Sequence, residues 1–174
     1  QAKLYLNGEV YTGNDYYTEA VAAVEKVLDG PYSIEDDYQL NFRADNHTSN
    51  ELIFTLPSDG IQTQGYGSTT FLINASNGGN MVSSDYGTSG AWAGLRTTRN
   101  LVELFPDETW DIDNRARFFT DGQTLDIADL TVFTEGYAVP KYTNLTTDGE
   151  PGSNNEFADT DYPMFRLADA YLMY

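Results

Sequence analysis

The sequence predicts a mainly α-helical fold of tetratricopeptide-like helical hairpins, joined to a loop-rich region with a few short strands. Three observations predict it. Apolar residues recur at helical steps through the first 30 positions. The same period returns from Met164 to Tyr174. Between them, short apolar runs are set among Gly, Asn, Asp, Ser and Thr. The expected organisation is a single truncated region: a helical hairpin over 1–30, a loop-rich mixed region over 31–160, and the start of a further helix over 161–174.

In the first segment Leu4, Gly8 and Tyr11 fall on one helical face. After the Gly13-Asn14-Asp15 break, Tyr17, Ala20, Val24, Val27 and Leu28 repeat at three- and four-residue steps until Gly30-Pro31 ends the second helix, with Asn14 or Asp15 as its expected cap. Gly8, Tyr11, Ala20 and Pro31 match the tetratricopeptide spacing, in which a small residue lets two helices approach closely. One such repeat cannot bury its face alone.

Residues 32–50 read as a polar loop with turns, and Leu52-Ile53-Phe54-Thr55-Leu56, stopped by Pro57, as a buried strand. Gln62 to Ser89, rich in Gly, Ser, Thr and Asn and interrupted only by Phe71-Leu72-Ile73, reads as a long ordered loop of the kind that carries function. Ser89 is then expected to cap a helix using Trp92, Leu95, Leu101, Val102, Leu104 and Phe105, ended by Pro106. Short strands are expected around Ile127 to Phe133 and Tyr137 to Tyr142, between turns such as Asp121-Gly122 and Glu135-Gly136. The final helical period, with Phe165, Leu167, Ala168, Tyr171 and Leu172, ends without a cap, so the native sequence is expected to continue past Tyr174.

The chain has 174 residues, and its nine Lys plus Arg stand against 27 Asp plus Glu, a formal net charge of -18. That charge repels phosphate backbones and anionic lipid surfaces, so no nucleic-acid partner is expected. With no Cys there are no disulfides, thiolate nucleophiles or thiolate metal sites. No stretch reaches the ~18 apolar residues that mark a membrane span, and Gln1-Ala2-Lys3-Leu4 lacks signal-peptide form, which puts any targeting segment outside this chain.

The chemistry-bearing patterns do not assemble a catalyst, and neither a cofactor nor a metal is expected. His47, the only histidine, reads as a polar loop residue in Asn46-His47-Thr48. Acid pairs such as Asp36-Asp37, Asp111-x-Asp113 and Asp159-x-Asp161 are what 27 acids give by chance. In Asp111-Ile112-Asp113-Asn114, Arg115 and Ala116 stand where a calcium loop needs an oxygen ligand and Gly, which leaves a turn with a charge pair. Asn46, Asn74 and Asn144 each open an Asn-x-Ser/Thr triplet, which matters only in a eukaryotic secretory chain.

Thirteen Tyr among many Asn, Gly and Thr are what sugar-binding surfaces use: a ring face stacks on a pyranose while amides bond its hydroxyls. The alternative is that these tyrosines only build core and rim. Tyr66, Trp92 and Trp110 are the aromatics most readily placed at a site. Gly65-Tyr66-Gly67 reads as a tight turn presenting Tyr66, and Trp92 follows a long Gly-rich loop, with burial in a helical core as its ordinary alternative. Arg96 offers a fork of donors to sugar hydroxyls, or else an ion pair with one of the many acids.

Several segments together resemble the SusD/RagB family of surface glycan-binding lipoproteins. They are Ala2 to Gly13, Asp45 to Glu51, Thr63-Gln64-Gly65-Tyr66-Gly67, and Trp92-Ala93-Gly94-Leu95-Arg96-Thr97-Thr98. After them come Asp113-Asn114-Arg115 with Phe118-Phe119 and Gly122-Gln123, then Gly136-Tyr137 with Lys141, and Pro163 to Met173 with its Arg166-Leu167-Ala168-Asp169. The similarity runs in family order from one end of the chain to the other. It implies a SusD-like fold, an outer-membrane location through an N-terminal lipid anchor, and a SusC-type TonB-dependent transporter as partner. The family's lipobox Cys and N-terminal helices do not precede Gln1 and its C-terminal part does not follow Tyr174, so the chain is expected to be a fragment. Tyr66 and Trp92 match, by region, aromatic positions used by starch-binding members.

The expected function is therefore non-enzymatic: capture of oligosaccharide or polysaccharide chains for the transporter. An acid-pair glycoside hydrolase and a purely structural docking subunit are the alternatives.

Overall fold

The computed structural model describes residues 1–174. Regular structure is mostly helical, six helices against one two-stranded sheet. No helix is long and apolar enough to cross a membrane. The chain divides into two compact units, one formed by residues 1–36, 48–56 and 163–174, the other by 37–47 and 57–162.

The first unit contains α1 (Ala2–Leu6), α2 (Gly8–Thr12), α3 (Tyr17–Leu28), β1 (Leu52–Leu56), nearly all of β2 (Tyr162–Arg166), and α6 (Leu167–Met173). The expected hairpin forms, with two differences. Its first arm breaks at Asn7 into α1 and α2, and α3 starts after Tyr16 with no side-chain cap from Asn14 or Asp15. Gly8 is buried, and a Cβ there would run into the Tyr16 ring. Helix α3 packs on both α1 and α6, and Val24, Leu167 and Ala170 form the core, flanked by Val27, Leu28 and Met173.

β1 lies where expected but is not the buried strand its apolar run implied, since Phe54 and Leu56 are exposed, and its partner was not foreseen. Tyr162 to Arg166 pairs with β1, so the helical period that includes Phe165 begins as a strand and α6 starts only at Leu167. The period misleads because Met164 and Phe165 are exposed on a short strand, with Phe165 beside Phe54 at 6.3 Å between centroids. A nearly buried ion pair secures the junction: Arg166 Nη1 donates to Glu51 Oε1 at 3.1 Å, and Leu167 N donates to Glu51 O at 2.9 Å.

The second unit carries α4 (Ser68–Ala75) and α5 (Arg99–Val102), and is otherwise turns and extended segments. Its core has two apolar clusters, one around Met81, Phe133 and Ala138, the other around Val102, Ala116 and Phe118. Three sequence expectations change here. The long loop over 62–89 contains α4, eight residues with Ser or Thr in the first turn, whose helical signal the surrounding Gly and Asn mask. The helix expected from Ser89 shrinks to α5, with Gly90 and Gly94 in an extended lead-in. The strands expected at 127–133 and 137–142 are replaced by isolated bridges, Thr97 with Tyr137, Thr124 with Glu135 and Phe119 with Ala138.

Buried asparagines take the place of a ladder in this unit. Asn144 Nδ2 donates to Asn154 O at 2.7 Å while its Oδ1 accepts from Asp159 N at 2.9 Å. Asn46 Nδ2 donates to Asn41 O and Asp161 O, and its Oδ1 accepts from Asp161 N. The amide thus ties together backbone segments that no sheet joins.

Candidate functional site

Three segments of the second unit meet at α4. Tyr66 lies just before this helix, in the turn expected to present it, and Phe71 lies within it. The extended segment carrying Trp92 closes the helix's C-terminal end: Trp92 N donates to Asn74 O, Ala93 N to Asn77 O, and Gly94 N and Leu95 N to Ala75 O, all at 2.7–2.9 Å. Carbonyls that a helix end leaves without partners are thereby satisfied. Ala93 adopts a positive φ of 52°, a conformation costly for a residue with a Cβ, held here by that set of bonds.

The third segment is 154–158. Asn154 Oδ1 accepts from Glu156 N and Phe157 N, forming a turn, and the turn docks on α4 through Ala158 N to Thr70 Oγ1 (3.0 Å) and Asn74 Nδ2 to Glu156 O (3.1 Å). Trp92 is therefore not on a helix, as the sequence implied, but on a strap fixed to one.

These supports bring four rings together. Tyr66 lies 6.0 Å from Trp92 and 5.3 Å from Phe157 between centroids, and Phe71 lies 6.3 Å from Trp92, all tilted. Tyr66 is 64% exposed, Phe71 43% and Trp92 38%, so the cluster is a surface and not a core. Hydrogen bonding to the Glu156 carboxylate raises the Tyr66 hydroxyl above its ordinary pKa of 10.0, so it is a neutral phenol at physiological pH. Exposed ring faces with a polar rim suit a ligand having both apolar faces and hydroxyls.

No family model matches the sequence. A curated relative, the starch-binding protein SusD of Bacteroides thetaiotaomicron, is 27% identical over a 219-residue alignment that covers 99% of this chain and 39% of the relative. A SusD-superfamily structure from Parabacteroides distasonis superposes with a TM-score of 0.68 at 19% identity, over 99% of this chain and 37% of that one. Surface glycan-binding protein A of B. thetaiotaomicron does so at 0.64 and 16% identity, over 99% and 41%. The resemblance to the SusD family is borne out. The chain spans about two fifths of the length of each of these proteins.

Within this SusD-like fold the other expected site residues lie elsewhere. Arg96 donates from Nη2 to Leu130 O at 2.9 Å and its guanidinium lies 5.7 Å from the Phe133 ring. It makes no ion pair, the alternative read from the sequence, because residues 127–133 offer it a carbonyl and a ring face instead. Trp110 stands apart on the 107–112 loop, with Arg117 over its ring at 4.9 Å. His47 is exposed on a short 3-10 turn, as expected of a polar loop residue. Asp113 is paired with Arg115 at 2.6 Å, the turn and charge pair read from the sequence.

Phe71 and Phe157 were missed. Phe71 sits in an apolar tripeptide that reads as core, and Phe157 is a lone aromatic in a polar stretch; only the isolation of Phe157 in Asn154-Asn155-Glu156-Phe157 was a signal.

Carboxylates of the second unit serve mainly as acceptors. Asp59 Oδ1 takes Ile61 N and Gln62 N, Asp159 takes Gly60 N and Ser153 Oγ, and Asp161 takes Ser58 N. Every carboxylate with a displaced pKa is displaced downward: Asp107, Asp113, Asp126, Asp129 and Asp159. For Asp159, burial opposes the shift and hydrogen bonds from Ser153 and Gly60 outweigh it.

Proposed function

We propose that this chain is the glycan-contacting part of a cell-surface carbohydrate-binding protein, one that captures sugar chains for uptake and does no chemistry on them. The observation that carries this reading is the exposed cluster of Tyr66, Trp92, Phe71 and Phe157, three segments fixed to one helix so that their rings stand at the surface. A neutral sugar chain stacks on such rings, and the Tyr66 hydroxyl and the Glu156 carboxylate bond its hydroxyls. The names of the relatives, starch-binding and surface glycan-binding, support binding over hydrolysis.

Finer parts of the reading follow from the family resemblance. The α1–α3 arrangement serves as a tetratricopeptide-like hairpin, the protein sits on the outer membrane through a lipid, and a SusC-type TonB-dependent transporter receives the glycan. Arg96 contributes by holding residues 127–133 in place.

Isothermal titration of starch oligosaccharides and a polysaccharide panel, with the chain and with the complete gene product, tests the site. At about 0.5–1.5 kcal/mol per stacked ring, Tyr66→Ala with Trp92→Ala weakens binding by about 1–3 kcal/mol, and Arg96→Ala weakens it less. Unchanged affinity in the double variant would overturn the site. Reducing-end release that a single Asp→Asn change abolishes would overturn the binding function in favour of a hydrolase.

A further inference from the structure

A cavity of about 500 Å³ opens in the second unit, apart from the four-ring cluster, and is bordered by Trp110, Arg117, Tyr86 and Arg43. That volume is in the range of ligand-sized pockets, roughly 300–1,000 Å³. Its distinctive feature is Arg117. The chain has six arginines among 27 carboxylates, and Arg43, Arg115 and Arg166 each pair with one and Arg99 with two, while Arg96 donates to the Leu130 carbonyl. The Arg117 guanidinium has no ion pair and no protein acceptor. It lies 4.9 Å from the Trp110 ring centroid and borders the cavity.

Its partner is held in an unusual pose. Trp110 adopts a φ of 58°, rare for a bulky residue. The loop pins it there: Asp107 Oδ2 accepts from Asp111 N at 2.9 Å, from Ile112 N at 3.3 Å and from Thr109 Oγ1 at 3.1 Å. The indole is nevertheless half exposed, so the strained backbone presents the ring instead of burying it. A stacked guanidinium keeps its planar fork of N–H donors in one orientation, the form in which arginine takes a carboxylate with two parallel bonds.

We infer that the Trp110–Arg117 cavity is a second carbohydrate subsite, one that takes a carboxylate-bearing sugar, a uronate unit, with the fork of Arg117 on the carboxylate and the Trp110 ring against the pyranose. The other charges around it shape this choice. Arg43 is already engaged by Asp37 at 3.8 Å and by the carbonyls of Thr146 and Thr147, and Asp85 and Asp121 also border the cavity. No broad positive field draws anions in, so recognition depends on one carboxylate meeting Arg117 directly. Burial lowers the Arg117 pKa, which Asp37 opposes, and an ionic partner relieves that desolvation.

The chain's only other tryptophan is Trp92, so Trp92→Phe leaves Trp110 as the sole indole reporter. Titration of this protein with trigalacturonate should change the Trp110 fluorescence saturably, with maltotriose giving no saturable change over the same range. Arg117→Gln should weaken trigalacturonate at least tenfold, and Arg117→Lys, which keeps the charge and loses the fork, should weaken it too. If the Gln variant fails to fold, the Lys variant carries the test. Tyr66→Ala should leave the trigalacturonate affinity unchanged. Absence of a saturable change, an equal Trp110 response to maltotriose, unaltered affinity in a folded Arg117 variant, or loss through Tyr66→Ala each overturns the inference. None of these results alters the separate test of the four-ring cluster.

Discussion

Asn46, Asn74 and Asn144 open the three Asn-x-Ser/Thr triplets, yet each side chain is at least 97% buried and bonded to backbone. They are structural residues, closed to glycosylation in the folded chain. Replacing Asn144 by Ala removes its bonds to Asn154 O and Gly87 O and leaves Asp159 N without its acceptor. At about 1 kcal/mol per bond plus an unsatisfied amide, the expected loss is about 2–4 kcal/mol, read from urea unfolding. Asp113 gives a pH prediction. The Arg115 guanidinium and backbone amide hold its carboxyl at about 2, below the ordinary 3.8. A depressed carboxylate contributes stability that is present above the unfolded value and lost as pH falls through the folded value. The difference in urea midpoint between wild type and Asp113→Asn should therefore be constant above about pH 4 and disappear between pH 4 and 2. Among single residues, the exposure of the Tyr66 and Trp92 rings was legible because glycine-bearing sequence surrounds them. Arg96 was not, because a carbonyl 34 positions away, at Leu130, decides where it points.

At the scale of elements, α3 and β1 were legible and α4 and β2 were not. A 12-residue amphipathic helix and an aliphatic run before Pro57 announce themselves locally. α4 is eight residues long, and its ends are completed by distant segments, the 92–95 strap and the 154–158 turn, which no local pattern shows. Thr70 tests that dependence. Thr70→Val keeps the shape but removes the acceptor for Ala158 N, so it should cost about 1–3 kcal/mol locally and speed hydrogen exchange at Ala158 while α3 amides stay unchanged. Because Phe157 rides on the same turn, glycan affinity should fall with it. In the first unit, Leu167→Ala empties the contact with Val24 and should destabilise by about 2–5 kcal/mol in thermal or urea unfolding. Gly87 is similarly constrained: at φ 73° an added Cβ would overlap the Asn144 carbonyl, so Gly87→Ala should disrupt the same asparagine bonds.

For the molecule as a whole, the net charge of -18 sets what approaches the surface, and stacking on rings sets what stays. Neutral glycans feel the second and not the first, so their affinity should change less than about twofold between roughly 50 and 500 mM salt, checked by titration at both ends. Apart from β2, the amount of fold visible in the sequence divides along the two units. The first is built from contacts between periodic helical faces, which a sequence displays. The second is built from asparagine amides and carboxylates bonded to backbone far along the chain, which it does not. The central claim is that exposed rings fixed to α4 hold a glycan without cleaving it. Affinity electrophoresis through polysaccharide gels, beginning with starch, tests it most directly when wild type and the Tyr66→Ala, Trp92→Ala double variant run side by side and reducing ends are assayed in the same samples. The account predicts retardation of the wild type, its loss in the double variant, and no release of reducing ends; equal retardation of both proteins, or release of reducing ends, contradicts it.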